Sequence, residues 1–138
     1  MSEQAMLEAV GMPAAVQRAW RDMRRHLADF GVEGPDRTAH FLAQCSVESA
    51  RFQRLTEGLN YSVEALSSFA IFRRRPDLAQ LYGRIGHWKS PTQKANQEAI
   101  ANTAYADANR DENHRLGNTE PGDGWRFIGR GWIHLTGR

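Results

Sequence analysis

The stretch HFLAQCSVESARFQRLTEGLNYS, residues 40–62, decides the predicted fold, because it joins a helix pattern to two glutamates with no lysine near either. Its apolar residues recur at the three- and four-residue spacing of one helix face; they are Phe41, Leu42, Cys45, Phe52 and Leu55. Pro35 suits the first turn of this helix. We expect the chain to leave the helix near Leu55 or Thr56 and to turn back at Gly58.

Glu48, the first glutamate, lies on the same predicted helix face as Gln44 and Phe52, four residues to either side. We therefore expect it at the edge of the apolar face and partly desolvated. Desolvation favours a protonated carboxyl group, which a general acid needs. The alternative is an ordinary surface glutamate, which is the commoner case for a helix pattern alone.

Glu57, the second glutamate, follows nine residues later. A continuous helix would separate the two Cα atoms by about 13 Å. Glycosidases that invert the anomeric carbon hold two carboxyl groups roughly 6.5–9.5 Å apart, with a water between them. The predicted turn near Gly58 is what such a pair would require. Taken alone, Glu57 is more simply read as a surface acid near a helix end.

The composition predicts one globular domain rather than two. The chain has 138 residues, of which 41% are hydrophobic and 25% charged, and its formal charge is +2 with a pI of about 9.0. Neither a membrane-spanning segment nor a standard export signal is evident. The single cysteine, Cys45, is expected to be a small buried hydrophobe, because His40 lies on a different helix face. These features indicate a soluble protein made in a reducing compartment.

The flanking segments predict further helices. A short helix over residues 3–10 ends at Gly11, and a longer one runs from Pro13 to Gly31. Ser62 is a candidate cap for a short helix through Leu66. The residues Ser90, Pro91 and Gln93 fit a helix start, and that helix should reach about residue 106.

From Gly117 onward the chain is rich in glycine, interleaved with Trp125, Trp132 and other apolar residues. We expect a small β or irregular wall packed against the helical body. Both tryptophans are candidates for stacking on sugar rings, although tryptophans beside glycines are more often part of a core.

Four segments together resemble the signature blocks of glycoside hydrolase family 19, and most closely its bacterial and phage lysozyme-type members, the endolysins. They are FLAQCSVESARF, TEGLNYS, IANTAYADANRDENHRLGN and GDGWRFIGRGWIHLTGR, and they occur in family order over roughly residues 37–138. The resemblance implies a mainly α, α+β lysozyme-like fold. In it, a helical body and a small Gly-rich hairpin or irregular wall line a cleft for a β-1,4-linked amino-sugar polymer. The predicted catalytic domain spans residues 1–138, with residues 1–34 as its N-terminal helices.

The resemblance also implies roles for individual residues. Glu48 matches the family's general acid and Glu57 its general base, with inversion at the anomeric carbon and neither a metal nor a cofactor. The implied substrate-binding residues are Tyr61, Asn102, Tyr105, Arg130 and His134. For Arg130, a structural ion pair is an equal alternative. His134 stands where the family usually has glutamine, so it is either a substrate contact or a packed polar residue.

The family pattern continues past Gly137-Arg138 with an Asn-Tyr pair and further helices, so the resemblance implies a C-terminally truncated domain. A fragment, a natural short form and completion by another chain remain open, as does the activity of this chain alone. An incomplete cleft would expose apolar surface and favour self-association.

The leading functional hypothesis is a bacteriolytic peptidoglycan hydrolase that cuts between N-acetylmuramic acid and N-acetylglucosamine. The alternatives are a chitinase of the same family and a non-catalytic form that binds glycan or docks a partner. Nucleic-acid binding is disfavoured by the small net charge, and stable membrane insertion is not expected. We expect the protein to be made in the cytoplasm and to act on the cell wall after release or delivery, as a phage lysis enzyme or a bacterial antimicrobial effector.

Overall fold

The computed structural model describes residues 2–138, and it confirms a mainly α fold with one small β component. The described chain divides into two compact units. Unit 1 comprises residues up to Thr56 together with Arg130–His134, and unit 2 comprises Glu57–Gly129 together with Leu135–Arg138. Within residues 2–138, no helix is both long enough and apolar enough to cross a bilayer.

Unit 1 is built from helices around a single apolar cluster. Its elements are α1 (Glu3–Ala9), α2 (Ala14–Met23), a 3-10 helix (Arg24–Phe30) and α3 (Gly34–Glu48). The buried cluster contains Met6, Leu7, Met12, Trp20, Leu27, Leu42, Cys45 and Phe52. The predicted long helix between Pro13 and Gly31 has the right extent, but its second half tightens into the 3-10 helix. Gly31 ends it in the left-handed conformation, with φ of 73°.

The predicted course of the chain after α3 is wrong. The helix ends at Glu48 and does not continue to Leu55 or Thr56. Three consecutive non-glycine residues then adopt left-handed backbone, with φ of 50° at Ala50, 58° at Arg51 and 63° at Phe52.

The side chain of Ser49 stabilises this turn. Its buried hydroxyl donates to the carbonyl of Cys45 at 2.5 Å and accepts from the amide of Phe52 at 2.9 Å. The turn therefore buries Phe52 without a helix, which is why the apolar periodicity persists beyond the helix end.

Unit 2 contains the remaining elements. They are a 3-10 helix (Ala65–Ser68), α4 (Ala70–Arg74), α5 (Pro76–Tyr82), β1 (Ile85–His87), β2 (Ser90–Gln93), α6 (Gln97–Ala104), two 3-10 turns (Asp107–Asn109 and Glu112–His114) and α7 (Asp123–Arg126). Its buried cluster contains Leu59, Leu66, Phe72, Ala79, Ile100, Ala101, Ala104, Tyr105 and Ile128. Ser62 accepts from the amide of Ala65 at 3.2 Å, as its predicted capping role requires.

The helix predicted to start at Ser90 is wrong, because this segment is strand β2. It pairs antiparallel with β1, with His87 opposite Ser90 across a two-residue turn. Pro91 is tolerated because both strands of a two-stranded sheet are edge strands. The helix begins only at Gln97, after Asn96 caps it by accepting from the amide of Ala99.

The Gly-rich segment forms turns and the short helix α7 rather than a hairpin. A Cβ atom at Gly124 would lie 2.4 Å from the carbonyl oxygen of Ala101, so only glycine permits this approach of α7 to α6. The small sheet instead lies earlier in the chain, at residues 85–93.

Candidate functional site

The best-organised candidate site in unit 2 surrounds the half-buried carboxyl group of Glu57. Its Oε2 accepts from the hydroxyl of Tyr105 at 2.8 Å, and its Oε1 accepts from the backbone amide of Gly129. The hydroxyl of Thr136 also donates to Oε1, at 3.4 Å. Glu57 in turn donates its own amide to the carbonyl of Gly129 at 2.9 Å. Both the backbone and the side chain of Glu57 are thus fixed within this unit.

These contacts suit a carboxylate that acts on a water molecule. An ionised carboxylate offers about four lone-pair sites, all of them acceptors. The hydroxyls of Tyr105 and Thr136 and the amide of Gly129 use part of this acceptor capacity. A water O–H is a further donor of the kind that such a group accepts. A group with this arrangement can take a proton from that water as a general base.

Tyr105 is a buried donor to this carboxylate and follows directly after α6. Burial raises the pKa of its phenol well above the ordinary value, and the hydrogen bond to Glu57 raises it further. The phenol therefore remains a donor across the neutral range. Its backbone is anchored as well, because the buried side chain of Asn118 donates to the carbonyl of Tyr105 at 3.0 Å.

Tyr61 belongs to the same unit and is linked to Tyr105 by two successive ring contacts, both made by Phe69. Its ring meets Phe69 edge-on at 5.3 Å between centroids, and Phe69 meets Tyr105 in the same way at 6.1 Å. Such edge-to-face contacts are favourable and fix ring orientation. Tyr61 is half-buried.

Asn102, also half-buried in unit 2, has a structural contact that its sequence position did not indicate. Its Oδ1 accepts from the backbone amide of Trp125 at 2.8 Å and so joins α6 to α7. Its role in substrate binding stays a prediction.

Glu48 lies in unit 1 as the last residue of α3, and the expectation that it is partly desolvated is wrong. Its side chain is exposed, because α3 ends there and the chain turns away. Gln44 donates to Glu48 Oε1 at 2.8 Å, as expected for residues four apart on one helix face. This bond fixes the orientation of the carboxyl group without removing it from water.

Arg130 and His134 also belong to unit 1. Arg130 pairs with Thr56 in an isolated antiparallel bridge. The Nε2 of His134 lies 2.8 Å from the carbonyl oxygen of Arg54 and, since a carbonyl only accepts, it donates. His134 has a left-handed φ of 47°. A histidine bonded to backbone in this way fits the packed polar residue that the sequence left as one alternative.

The two tryptophans of the Gly-rich segment differ. Trp132 is half-buried and packs against the apolar cluster of unit 1, stacked on Trp20 at 6.4 Å and edge-on to Phe52 at 5.2 Å between ring centroids. Trp125 in unit 2 is 37% exposed, so its indole remains accessible to a sugar ring.

Cys45 is fully buried, and burial raises the pKa of its thiol. Both observations fit the small buried hydrophobe that the sequence predicts.

Sequence reasoning missed Thr136 and the buried side chains of Ser49 and Asn118. Thr136 lies in the quoted LTGR block, but nothing in its spacing connects it with Glu57, which is 79 residues away. In the part of the chain that the structure describes, no three His, Cys, Asp or Glu side chains are grouped to hold a metal ion.

Comparison with known proteins points to one family. A scan against protein-family models gives no match. Over 129 residues, the chain is 36% identical to a glycosyl hydrolase family 19 domain-containing protein of Haemophilus influenzae. The alignment covers 91% of this chain and 56% of the relative, so the chain spans about half the length of the curated relative it matches. The chain is thus similar, over most of its own length, to a protein that contains a glycosyl hydrolase family 19 domain.

Proposed function

From its similarity to a glycosyl hydrolase family 19 domain-containing protein, we propose that this chain is a family member that hydrolyses β-1,4 bonds of an amino-sugar polymer. The observation that carries the proposal is the carboxylate of Glu57, held by Tyr105, Gly129 and Thr136. A carboxylate fixed in position by these donors suits activation of water better than a solvated surface acid does.

In the proposed mechanism, Glu57 is the general base and Glu48 the general acid. Glu57 takes a proton from water as the water attacks the anomeric carbon, and Glu48 protonates the departing glycosidic oxygen. The bond between the anomeric carbon and that oxygen breaks as the bond to water forms, which inverts the configuration. Tyr105 acts as a positioning residue, because its hydroxyl contacts Glu57.

The proposed substrate is peptidoglycan, cut between N-acetylmuramic acid and N-acetylglucosamine. The mildly basic chain, with a formal charge of +2, favours approach to an anionic wall polymer. In this proposal the protein is made in the cytoplasm and meets the wall after release or delivery. Tyr61, Asn102, Arg130 and His134 remain the proposed substrate contacts.

The proposal is tested by measuring the release of reducing ends from peptidoglycan and from chitin oligomers. Glu57→Gln and Glu48→Gln should each lower the rate on peptidoglycan by about 10²–10⁴-fold, the usual contribution of a general acid or base. The control is Glu98→Gln. Glu98 is an exposed glutamate of α6, so its substitution removes the same charge and should leave the rate unchanged.

Equal rates for Glu57→Gln and Glu98→Gln would refute the assigned base. A wild-type protein that binds peptidoglycan without cleaving it supports the non-catalytic alternative, and a preference for chitin oligomers supports the chitinase. The anomer of the first product tests inversion separately, because retention of the β configuration excludes Glu57 as a base acting on water.

A further inference from the structure

Unit 2 contains a basic cavity that the proposed chemistry does not use. It has a volume of about 410 Å³, and its ionisable lining residues apart from Tyr105 are Arg73, Arg74, Arg110, Asp111 and His114. We call it the arginine pocket, after its three arginines. Guanidinium groups present planar, paired donors that match the geometry of a carboxylate.

The three guanidinium groups of the arginine pocket are held in place by neutral partners. Each donates to one or two backbone carbonyl oxygens at 2.5 to 3.2 Å. The acceptors are the carbonyls of Ser67, Ser68, Ala104, Asn109 and His114. Since each guanidinium carries five N–H donors, at least three on every arginine remain for a ligand or water.

The positive charge of this pocket is not neutralised by the protein. Within residues 2–138, none of its three arginines forms an ion pair with a carboxylate; the ion pairs of unit 2 are Arg75 with Asp77 and Arg138 with Asp123. Asp111 is the one acidic side chain in the lining. Three fixed cations against one anion in a concave site favour an anionic ligand.

Tyr105 connects the arginine pocket with Glu57. It lines the pocket, and its hydroxyl donates to Glu57 Oε2. Arg110 is close enough to Tyr105 to act on the pKa of its phenol electrostatically, in the lowering direction and against the larger effects of burial and Glu57. A group bound in the pocket would therefore lie beside the residue that positions the proposed base.

We propose that the arginine pocket binds a carboxylate of the glycan, and so selects an acidic amino-sugar polymer over a neutral one. This inference rests on the proposed function and names the substrate class of the same unit. Peptidoglycan carries carboxylates on its peptides, or on its lactyl groups once the peptides are removed, whereas chitin carries none. A neutral polymer would leave the guanidinium groups without their strongest partners.

The inference is tested by sedimentation of the full chain with insoluble peptidoglycan that has been freed of phosphate polymers. Arg73→Gln/Arg74→Gln should weaken binding by about tenfold, because charge-assisted hydrogen bonds are lost. Lys89→Gln/Lys94→Gln is the matched control: it removes two charges from exposed residues of the same unit and should change binding by less than about twofold. Urea unfolding of each variant verifies that it is folded.

Binding is compared on three polymers: intact peptidoglycan, peptidoglycan strands stripped of peptide, and chitin. Selective loss on intact peptidoglycan identifies the peptide carboxylates as the ligand, and selective loss on strands stripped of peptide identifies the lactyl carboxylates. Equal losses for the arginine and lysine pairs, or an equal loss on chitin, would overturn the inference. Charge-selective binding without release of reducing ends refutes the proposed hydrolase and retains the pocket, whereas hydrolysis without selective loss refutes the pocket alone.

Discussion

Removal of the Tyr105 hydroxyl group tests whether its hydrogen bond positions the carboxylate of Glu57. Tyr105→Phe keeps the ring against Phe69 but deletes the 2.8 Å hydrogen bond to Glu57. We expect the free energy of unfolding to fall by about 1 kcal/mol. The rate on peptidoglycan should fall about tenfold through kcat, because the carboxylate loses an orienting donor. Tyr82→Phe, a half-buried tyrosine of the same unit, is the control, and a fully active Tyr105→Phe would contradict the positioning role.

The raised pKa of Tyr105 predicts how its contribution depends on pH. The folded protein retains the phenolic proton above the ordinary value of about 10, where the unfolded chain releases it. The native state therefore binds more protons there, and its stability falls as the pH rises. The stability advantage of the wild type over Tyr105→Phe should be constant from about pH 7 to 9 and shrink above about pH 10. Urea unfolding at each pH measures it, and an advantage that grows with pH would contradict this.

At the same scale, the sequence singled out Glu57 by its spacing from Glu48, but it singled out Tyr105 only through the resemblance to a family. The three donors Tyr105, Gly129 and Thr136 are separated from Glu57 in the sequence by 48, 72 and 79 positions, respectively. Periodicity reports on neighbours a few residues apart, so it contains no information about such contacts. The same limit explains why the burial of Ser49 was missed and why Glu48 was expected to be partly desolvated.

Among the elements, the end of α3 departs most from its predicted form. Its three left-handed residues each cost roughly 1–2 kcal/mol in backbone conformation, a cost that glycine does not incur. Ala50→Gly should therefore raise the free energy of unfolding by about 0.5 kcal/mol, after allowing for the greater freedom of glycine in the unfolded chain. Ala43→Gly, at an exposed position inside α3, should lower it by about 1 kcal/mol. Urea unfolding measures the free energy of unfolding of both variants. Changes of the same sign would refute the proposed backbone strain at Ala50.

The predicted elements succeeded where local chemistry decides structure. Gly31 ends the 3-10 helix before it, and Ser62 accepts from the amide of Ala65 at the start of another, because both effects depend on residues within one turn. The same chemistry misled at Ser90, where a serine and a proline fit both a helix start and an edge strand. Pairing with β1 decided between them, and the sequence pattern of Ser90–Gln93 alone does not contain that partner. In the Gly-rich segment, the close approach of Gly124 to Ala101 is likewise a tertiary effect.

At the scale of the whole molecule, residues 130–138 contribute to both units. Arg130–His134 belong to unit 1 and Leu135–Arg138 to unit 2. In unit 1, Trp132 packs on Trp20 and Phe52. Trp132→Ala should lower the free energy of unfolding by about 3 kcal/mol, the lower end for loss of a packed aromatic side chain. Trp88→Ala, at a residue 61% exposed, should change it by less than about 0.5 kcal/mol. Similar losses for the two variants would contradict the packing of Trp132 against the cluster of unit 1.

In unit 2, three of the last four residues contact segments that precede them in the chain. The guanidinium of Arg138 pairs with Asp123 at 3.1 Å, and the amide of Gly137 donates to the carbonyl of Phe127 at 3.0 Å. Thr136 reaches Glu57 itself. During translation, a ribosome that has finished residue 129 has not yet produced the indole of Trp132, which packs against the first cluster, or the hydroxyl of Thr136, the most distant of the three donors to Glu57. We therefore expect a chain released before residue 130 to leave part of the first cluster uncovered and to be degraded faster than the full chain.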